Sequence, residues 1–232
     1  MNSALTLTAL GAAVLGLGAG VYLKKRNGSG PIARTSSSVL TVVTPVIDLG
    51  VAELVLSALD QVDGEDVTLL LHTQGGCVAS CVMIAKALRR FQNSTAVVPF
   101  MAISGGTLIA LSARNLEMGR GAYLSAVDPI VFGERAKYLT AAPGGADSPD
   151  GRLAGLARDY ELAITRFMRT TLTARLRDTA GASVDAALEV FMGRDTPHEW
   201  PIPIQEVLAL GIPVAPASRD WSALVESRRR SW

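Results

Sequence analysis

The 232-residue chain has few aromatic residues, only two cysteines and two histidines, and a formal charge of +1. A nearly neutral chain without a basic patch among aromatic side chains is not expected to bind nucleic acid. No phosphate-binding loop of the Walker type occurs, so any ATP hydrolysis would have to come from a partner. No cluster of histidine and cysteine has the spacing of a metal site, and we expect neither a metal nor a cofactor.

The two cysteines, Cys77 and Cys81, are four residues apart in a predicted helix. This helical spacing suits a disulfide poorly. We therefore expect both to be small core residues of a reduced, cytosolic domain.

The chain begins with a long uncharged run. Residues 4–23 carry no charged side chain and are followed by Lys24, Lys25 and Arg26. A helix of about 20 apolar residues can cross a bilayer, and the basic cluster after it places the remaining chain in the cytoplasm. A cleaved signal peptide, whose basic residues precede the apolar run, and a buried soluble helix are the alternatives. The pattern favours an uncleaved transmembrane anchor at residues 1–26.

The rest of the chain has the pattern of one α/β domain. Residues 27–38 are rich in Gly and Ser and predict a flexible linker. Buried strands and amphipathic helices alternate from residue 39, which predicts a largely parallel sheet with right-handed crossovers. The domain is predicted to span residues 39–214, and residues 215–232 to form a basic, solvated tail.

Two longer segments stand out within this domain. Residues 128–152 are rich in Pro, Gly and Asp, and a loop of this length is either functional or disordered. Residues 153–176 predict a long amphipathic helix whose buried stripe includes Leu156 and Tyr160.

Ser104 precedes a glycine pair at a predicted strand-to-helix turn. A serine at such a turn can act as a nucleophile if a base activates it and backbone N–H groups stabilise the oxyanion. The N–H of Gly105 is one candidate donor, and Gly75 or Gly76, in a second glycine turn after another strand, is the other. The alternative for Ser104 is a simple helix N-cap.

The residues alone leave the general base open. His72 closes the strand before the second glycine turn, with a structural role as its alternative. His198 lies in an irregular segment that can fold back over the sheet. Lys137 lies in the predicted long loop, either as a surface charge or as a base that a dry pocket deprotonates. Asp128 can orient a base or simply turn the chain.

Five segments of the domain follow one another in a characteristic order. They are residues 69–76 (LLLHTQGG), 102–111 (AISGGTLIAL), 124–129 (LSAVDP), 196–204 (TPHEWPIPI) and 210–214 (LGIPV). In this order they resemble the serine dehydrogenase proteinase family. The resemblance covers residues 39–214 and implies a ClpP/crotonase-like spiral of βαβ units, preceded by one N-terminal transmembrane helix.

The resemblance also assigns roles to residues. Ser104 matches the family's predicted nucleophile, and Gly75, Gly76 and Gly105 match the oxyanion positions of the wider superfamily. The chain departs from the family at Gln74, where a proline usually precedes the glycine pair.

For the base, the resemblance gives no single answer. Asp128 falls where Clp-type proteases carry their catalytic histidine, so it does not support a standard Ser-His-Asp triad. Related membrane-bound peptidases use a Ser-Lys pair, which favours Lys137, with His198 as the other candidate. Residues 131–150 do not follow the family pattern.

The leading functional hypothesis is a membrane-anchored serine peptidase. It would cleave peptides or membrane-protein segments at the cytoplasmic face and form a homo-oligomer. A catalytically inactive, oligomeric membrane scaffold with the same fold is the alternative. Crotonase-like acyl-CoA chemistry is a third hypothesis, for which the sequence offers no clear CoA pocket.

Overall fold

The computed structural model describes residues 32–34, 38–140, 149–193 and 197–229. The predicted anchor at residues 1–26 lies outside the described residues. Among the helices that are described, none combines the length and the apolar character needed to cross a membrane.

A six-stranded sheet forms the centre of the domain, in the order β1-β2-β3-β4-β6-β11. Strands β2 to β11 of this sheet run parallel, and β1 pairs antiparallel at the edge. The inner strands are apolar on both faces because helices and the C-terminal segment cover them. The six strands are Ile32–Arg34, Val39–Val43, Asp66–His72, Asn93–Val98, Asn115–Met118 and Ala215–Pro216.

Three helices connect the parallel strands, which confirms the predicted alternation. Helix α1 spans Leu49–Asp60, α2 spans Val78–Leu88 and α3 spans Gly105–Ser112. Helix α1 begins where the carboxylate of Asp48 accepts a 2.8 Å hydrogen bond from the N–H of Val51. Every residue of α3 is buried, so this helix lies inside the domain and fixes the position of the turn before it.

The segment predicted as a loop from residue 128 is partly regular. Strands β8 (Ile130–Val131) and β9 (Glu134–Arg135) form a hairpin, and a short helix, α4, follows at Ala136–Leu139. Each strand is only two residues long, which is too short for the alternation of apolar and polar residues that predicts a strand. The long helix α5 then runs over Pro149–Leu176, starting earlier than predicted.

Helix α5 buries a narrower stripe than its sequence predicts. Ile164, Met168 and Leu172 pack in the core, whereas Leu156 and Tyr160 are 42% and 40% exposed. The prediction for these last two residues was wrong because the first half of the helix packs on a small separate cluster, where Ala157 meets Val131 and Ala136, and not on the main core.

The remaining elements return the chain to the sheet. Helices α6 (Val184–Met192) and α7 (Ile204–Ala209) follow α5 along the chain. A second, three-stranded sheet joins β5, β7 and β10 beside the main one. These strands are Met101–Ala102, Tyr123–Leu124 and Ile202–Pro203.

The folded domain extends beyond both predicted boundaries, residues 39 and 214. Strand β1 falls within the expected linker and pairs with β2. After residue 214, strand β11 pairs with β6 and helix α8 (Ser222–Arg229) covers the other face of the sheet. Trp221 and Val225 pack there against β-strand residues Val43, Leu70 and Val97. Residues 215–229 are therefore part of the folded domain and not a solvated tail.

Candidate active site

The two glycine turns lie side by side, as the sequence pattern suggested. Gly75 and Gly76 have φ values of 101° and 151°, which L side chains rarely adopt. A Cβ added to Gly75 would lie 2.9 Å from Cβ of Ser104 and 3.0 Å from N of Gly105. The backbone of one turn thus touches the serine of the other.

Ser104 has a strained backbone at the start of helix α3. Its φ of 53° and ψ of −118° are unusual for a residue with a side chain, and such outliers concentrate at functional sites. The side chain makes no hydrogen bond that caps the helix, so the N-cap alternative has no support from the geometry. The N–H of Ser104 instead donates to Oγ of Ser125 at 2.8 Å.

A cavity of about 520 Å³ opens in front of Ser104. Its polar wall contains Gly76, Gly105, Asp128 and His198 together with the serine. Its apolar wall comes from α2, α3, α5 and the segment before β8. The apolar lining residues are Val78, Ile103, Leu108, Val127, Pro129, Ile130 and Ile164.

Two backbone donors of this site remain unused by the protein. Among the residues that the structure describes, no protein atom accepts a hydrogen bond from the N–H of Gly76 or of Gly105. The N–H of Gly75 is already engaged, because it donates to Oγ1 of Thr73 at 3.1 Å. The arrangement therefore offers two neighbouring N–H groups to an oxygen in the cavity.

His198 is held by a carboxylate in the same cavity. Its Nδ1 lies 2.8 Å from Oδ1 of Asp128, and the other oxygen of this carboxylate accepts from Nε of Arg135 at 2.5 Å. The side chains of Asp128 and His198 are only 4% and 15% exposed. The segment that carries His198 thus folds back over the sheet, one of the possibilities that the sequence left open.

Asp128 remains ionised well into the acid range. Burial by itself would raise the pKa of its carboxyl group. The hydrogen bonds from His198 and Arg135, and the electrostatic effect of these partners, outweigh burial and lower the pKa below its ordinary value. A carboxylate has no proton to donate, so the proton of its bond to His198 must be on Nδ1. In the neutral ring, Nε2 is then free to accept a proton.

Lys137 and His72 do not line this cavity. Lys137 is buried on α4, and its Nζ donates to the carbonyl oxygen of Gly193 at 3.1 Å. His72 is buried edge-on against Phe100, with 5.8 Å between ring centroids. Burial and the nearby charge of Arg229 lower the pKa of His72 to about 4, which keeps the ring neutral.

The cysteines have different environments, contrary to the expectation that both lie in the core. Cys81 is buried behind Gly105, and burial and the neighbouring Cys77 raise the pKa of its thiol to about 12. Cys77 is exposed at the start of α2. Both are free thiols.

The described residues contain no group of three or more side chains that could hold a metal ion.

Sequence reasoning missed the residues that hold the serine turn in place. Ser125 and Thr107 are fully buried and form a short chain of hydrogen bonds. The N–H of Ser125 donates to Oγ1 of Thr107 at 3.0 Å, and this hydroxyl donates to the carbonyl of Ala102 at 2.7 Å. Ser125 lies within a family-like segment, but no spacing rule indicates that its hydroxyl would meet the N–H of Ser104.

We expect Ser125→Ala to lower kcat for any reaction at Ser104 by roughly tenfold or more, with a smaller change in KM. The substitution leaves the N–H of Ser104 without its acceptor, so the strained turn can relax. We also expect a loss of about 1–3 kcal/mol of folding stability, measured by denaturant unfolding.

Ser94→Ala is the matched control for this variant. Ser94 is also fully buried and accepts a 3.0 Å hydrogen bond from a backbone N–H, that of Arg114, but it does not line the cavity. A similar loss of stability with unchanged kcat is expected there. Equal losses of kcat in both variants would show that Ser125 acts only through general stability.

A family model and two curated proteins match large parts of this chain. Residues 37–225 match the family model described as ClpP-like SDH-type serine proteinase. Two uncharacterized proteins of Methanocaldococcus jannaschii are similar to this chain, at 36% and 29% identity over 153 residues, or 64% of the chain. The chain spans about half the length of these curated relatives, with 53% and 51% of their residues covered.

Solved structures show the same fold at low sequence identity. ClpP1 from Listeria monocytogenes superimposes with a TM-score of 0.56 at 16% identity, covering 79% of this chain and 94% of the other. A membrane-bound stomatin-specific protease, 1510-N, in a serine-to-alanine mutant form, gives a TM-score of 0.52 at 18% identity, covering 82% of both chains. The fold is therefore ClpP-like, as the resemblance implied.

Proposed function

Because the chain belongs to the family of ClpP-like SDH-type serine proteinases, we propose that it is a serine peptidase whose nucleophile is Ser104. The proposal rests on the groups that line one cavity. A serine hydroxyl, two unused backbone N–H groups and a histidine held by a carboxylate all line it. These are the three components that acyl transfer through serine requires.

In the proposed reaction, Oγ of Ser104 attacks the carbonyl carbon of the scissile peptide bond. Nε2 of His198 takes the proton of the hydroxyl, and the N–H groups of Gly76 and Gly105 stabilise the oxyanion. His198 then gives this proton to the leaving amine, which leaves an acyl-enzyme. A water molecule, deprotonated by the same histidine, hydrolyses the acyl-enzyme and restores the serine.

Asp128 and Arg135 have supporting roles in this proposal. The carboxylate of Asp128 fixes the tautomer of His198 and stabilises the imidazolium that forms during attack. Arg135 holds the second oxygen of the carboxylate, so Asp128 cannot turn away from the histidine. Serine, aspartate and histidine thus follow one another along the chain as Ser104, Asp128 and His198.

The walls of the cavity suggest which peptides fit. Val78, Leu108 and Ile164 give the cavity an apolar wall of aliphatic carbon, which has no charge to pair with a substrate side chain, and the carboxylates that line the cavity are those of Asp128 and Glu199. Burying a charged side chain there without a partner would be costly. We therefore infer that an apolar residue of an unfolded peptide lies beside the scissile bond.

A serine-reactive fluorophosphonate probe tests the proposal directly. The full-length protein should be labelled at Ser104, as identified by peptide mass spectrometry, and prior heat denaturation should abolish labelling. Labelling absent across a wide pH range would instead support the alternative of a catalytically inactive scaffold.

We also propose that the chain is a membrane-anchored homo-oligomer with its peptidase domain at the cytoplasmic face. The uncharged run at residues 4–23 and the basic residues 24–26 support the anchor. The full-length protein should stay in the membrane fraction after alkaline carbonate washing and enter solution only with detergent. Release by carbonate alone would contradict the anchor.

A further inference from the structure

A second cavity, of about 480 Å³, lies at the opposite end of helix α3 from Ser104. Three arginines are among its lining residues, Arg89, Arg114 and Arg175. Asp178, which is exposed, is the only carboxylate among its described lining residues. The cavity therefore carries an excess of positive charge, and nothing in the proposed peptidase reaction uses it.

Arg175 is the least satisfied of these three side chains. Its Nη1 donates to the carbonyl oxygen of Arg114 at 3.1 Å. Its Nε and Nη2 are buried and, within the described part of the chain, have no hydrogen-bond partner. Burial lowers the pKa of Arg175 to about 10, so the group still carries its charge at neutral pH.

The two unsatisfied nitrogens form one edge of the guanidinium plane. The N–H groups of this edge are parallel, and they match two oxygens of a phosphate or carboxylate. Leaving a charged donor pair buried without an acceptor is unfavourable in a protein interior, so an anion that accepts both hydrogen bonds would remove this penalty.

The other two arginines lie where they can add to such a site. The guanidinium of Arg89 donates to Oγ1 of Thr171 and stacks on Phe167, 4.4 Å from the ring centroid, which holds it against the cavity wall. Arg114 is exposed at the rim. The hydroxyl of Thr171 donates to a helix carbonyl at 2.8 Å and has no further proton to offer. Binding of an anion in this cavity therefore depends on the three arginine side chains.

We propose that this cavity, named here the arginine cavity (Arg89, Arg114 and Arg175), binds a phosphate dianion. Two negative charges suit three guanidinium groups better than a single carboxylate does. Arg175 already lines the cavity, with Nε and Nη2 buried. On binding, the edge of the guanidinium that carries these two nitrogens turns towards the cavity, and each donates to one phosphate oxygen. Arg89 and Arg114 contact the remaining oxygens. The proposal is independent of the assignment of Ser104.

Thermal unfolding of the full-length protein in detergent, with inorganic phosphate or with chloride at equal ionic strength, tests this site. Phosphate should raise the Tm in a saturable manner, and chloride should not. Arg175→Met should weaken the apparent phosphate affinity roughly tenfold or more, because it removes two charge-assisted hydrogen bonds. Without phosphate, the variant should be as stable as the wild type or more stable, because methionine replaces a buried cation that lacks partners.

Arg90→Met is the matched control, because Arg90 is exposed and pairs with Asp60 at 2.7 Å outside the arginine cavity. It should keep the phosphate response of the wild type. Should Arg175→Met fail to fold, Arg114→Met at the rim must also weaken the response. No phosphate effect in the wild type, or an equal effect in the cavity variants, would overturn the proposal. A change of sedimentation behaviour in Arg175→Met, without any phosphate effect, would instead assign Arg175 to a carboxylate of a second copy.

Discussion

Ser104→Ala is expected to lower kcat for cleavage of an unfolded protein substrate by about a thousandfold or more, with little effect on folding stability. The hydroxyl of Ser104 is the proposed nucleophile, and alanine cannot form the acyl-enzyme. The fold should tolerate the change, because the serine side chain makes no capping bond to helix α3. Peptide release is the direct measurement, with denaturant unfolding beside it.

Ser112→Ala provides the control within the same helix. Ser112 is buried at the far end of α3, and its hydroxyl donates to the carbonyl of Leu108 at 2.8 Å. Ser112→Ala should lower the free energy of unfolding and leave kcat almost unchanged. Persistent cleavage by pure Ser104→Ala protein would refute the assignment of the nucleophile.

His198→Gln is expected to reduce kcat by about a hundredfold to ten-thousandfold, the usual effect of losing a general base. Glutamine can still donate a hydrogen bond to Asp128, but it cannot take a proton from Ser104. Asp128→Asn should lower kcat as well, because an amide no longer fixes the proton on Nδ1 of His198. In both variants, steady-state kinetics at several pH values should show the loss at every pH.

Lys137→Met decides between the two candidate bases. Lys137 lies outside the described lining of the cavity, and its Nζ is directed to the carbonyl of Gly193. Methionine keeps most of the side-chain volume, so kcat should change only a few-fold. If Lys137→Met abolishes cleavage and His198→Gln does not, the enzyme uses a Ser-Lys pair, as the resemblance suggested, and our assignment of the base is wrong.

The sequence predicted those parts of the site that depend on local chain geometry. Glycine pairs after apolar strands indicate tight turns, and a serine at the start of a buried helix is a recognisable pattern. The parallel order of the strands then brings the turns at Gly75 and Ser104 to one edge of the sheet. This reasoning needs no knowledge of distant contacts, and the structure shows the two turns touching.

The base could not be predicted in the same way, because its position depends on packing across the chain. His198 reaches the cavity only after helices α5 and α6, and its bond to Asp128 and its place in the cavity lining are visible only in the structure. The support of Ser125 for the serine turn is likewise a tertiary contact. The same limit explains the errors at Leu156 and Tyr160, where the helical period was right but the first half of the helix packs on a small separate cluster and not on the main core.

The late position of His198 in the chain has a consequence for how the protein is made. During translation, the nucleophile and the oxyanion turn emerge long before the residue that activates them. On our assignment, a nascent or prematurely terminated product lacks its proton acceptor and is inert. Peptidase activity can therefore arise only after the segment that carries His198 has been synthesised and has folded onto Asp128.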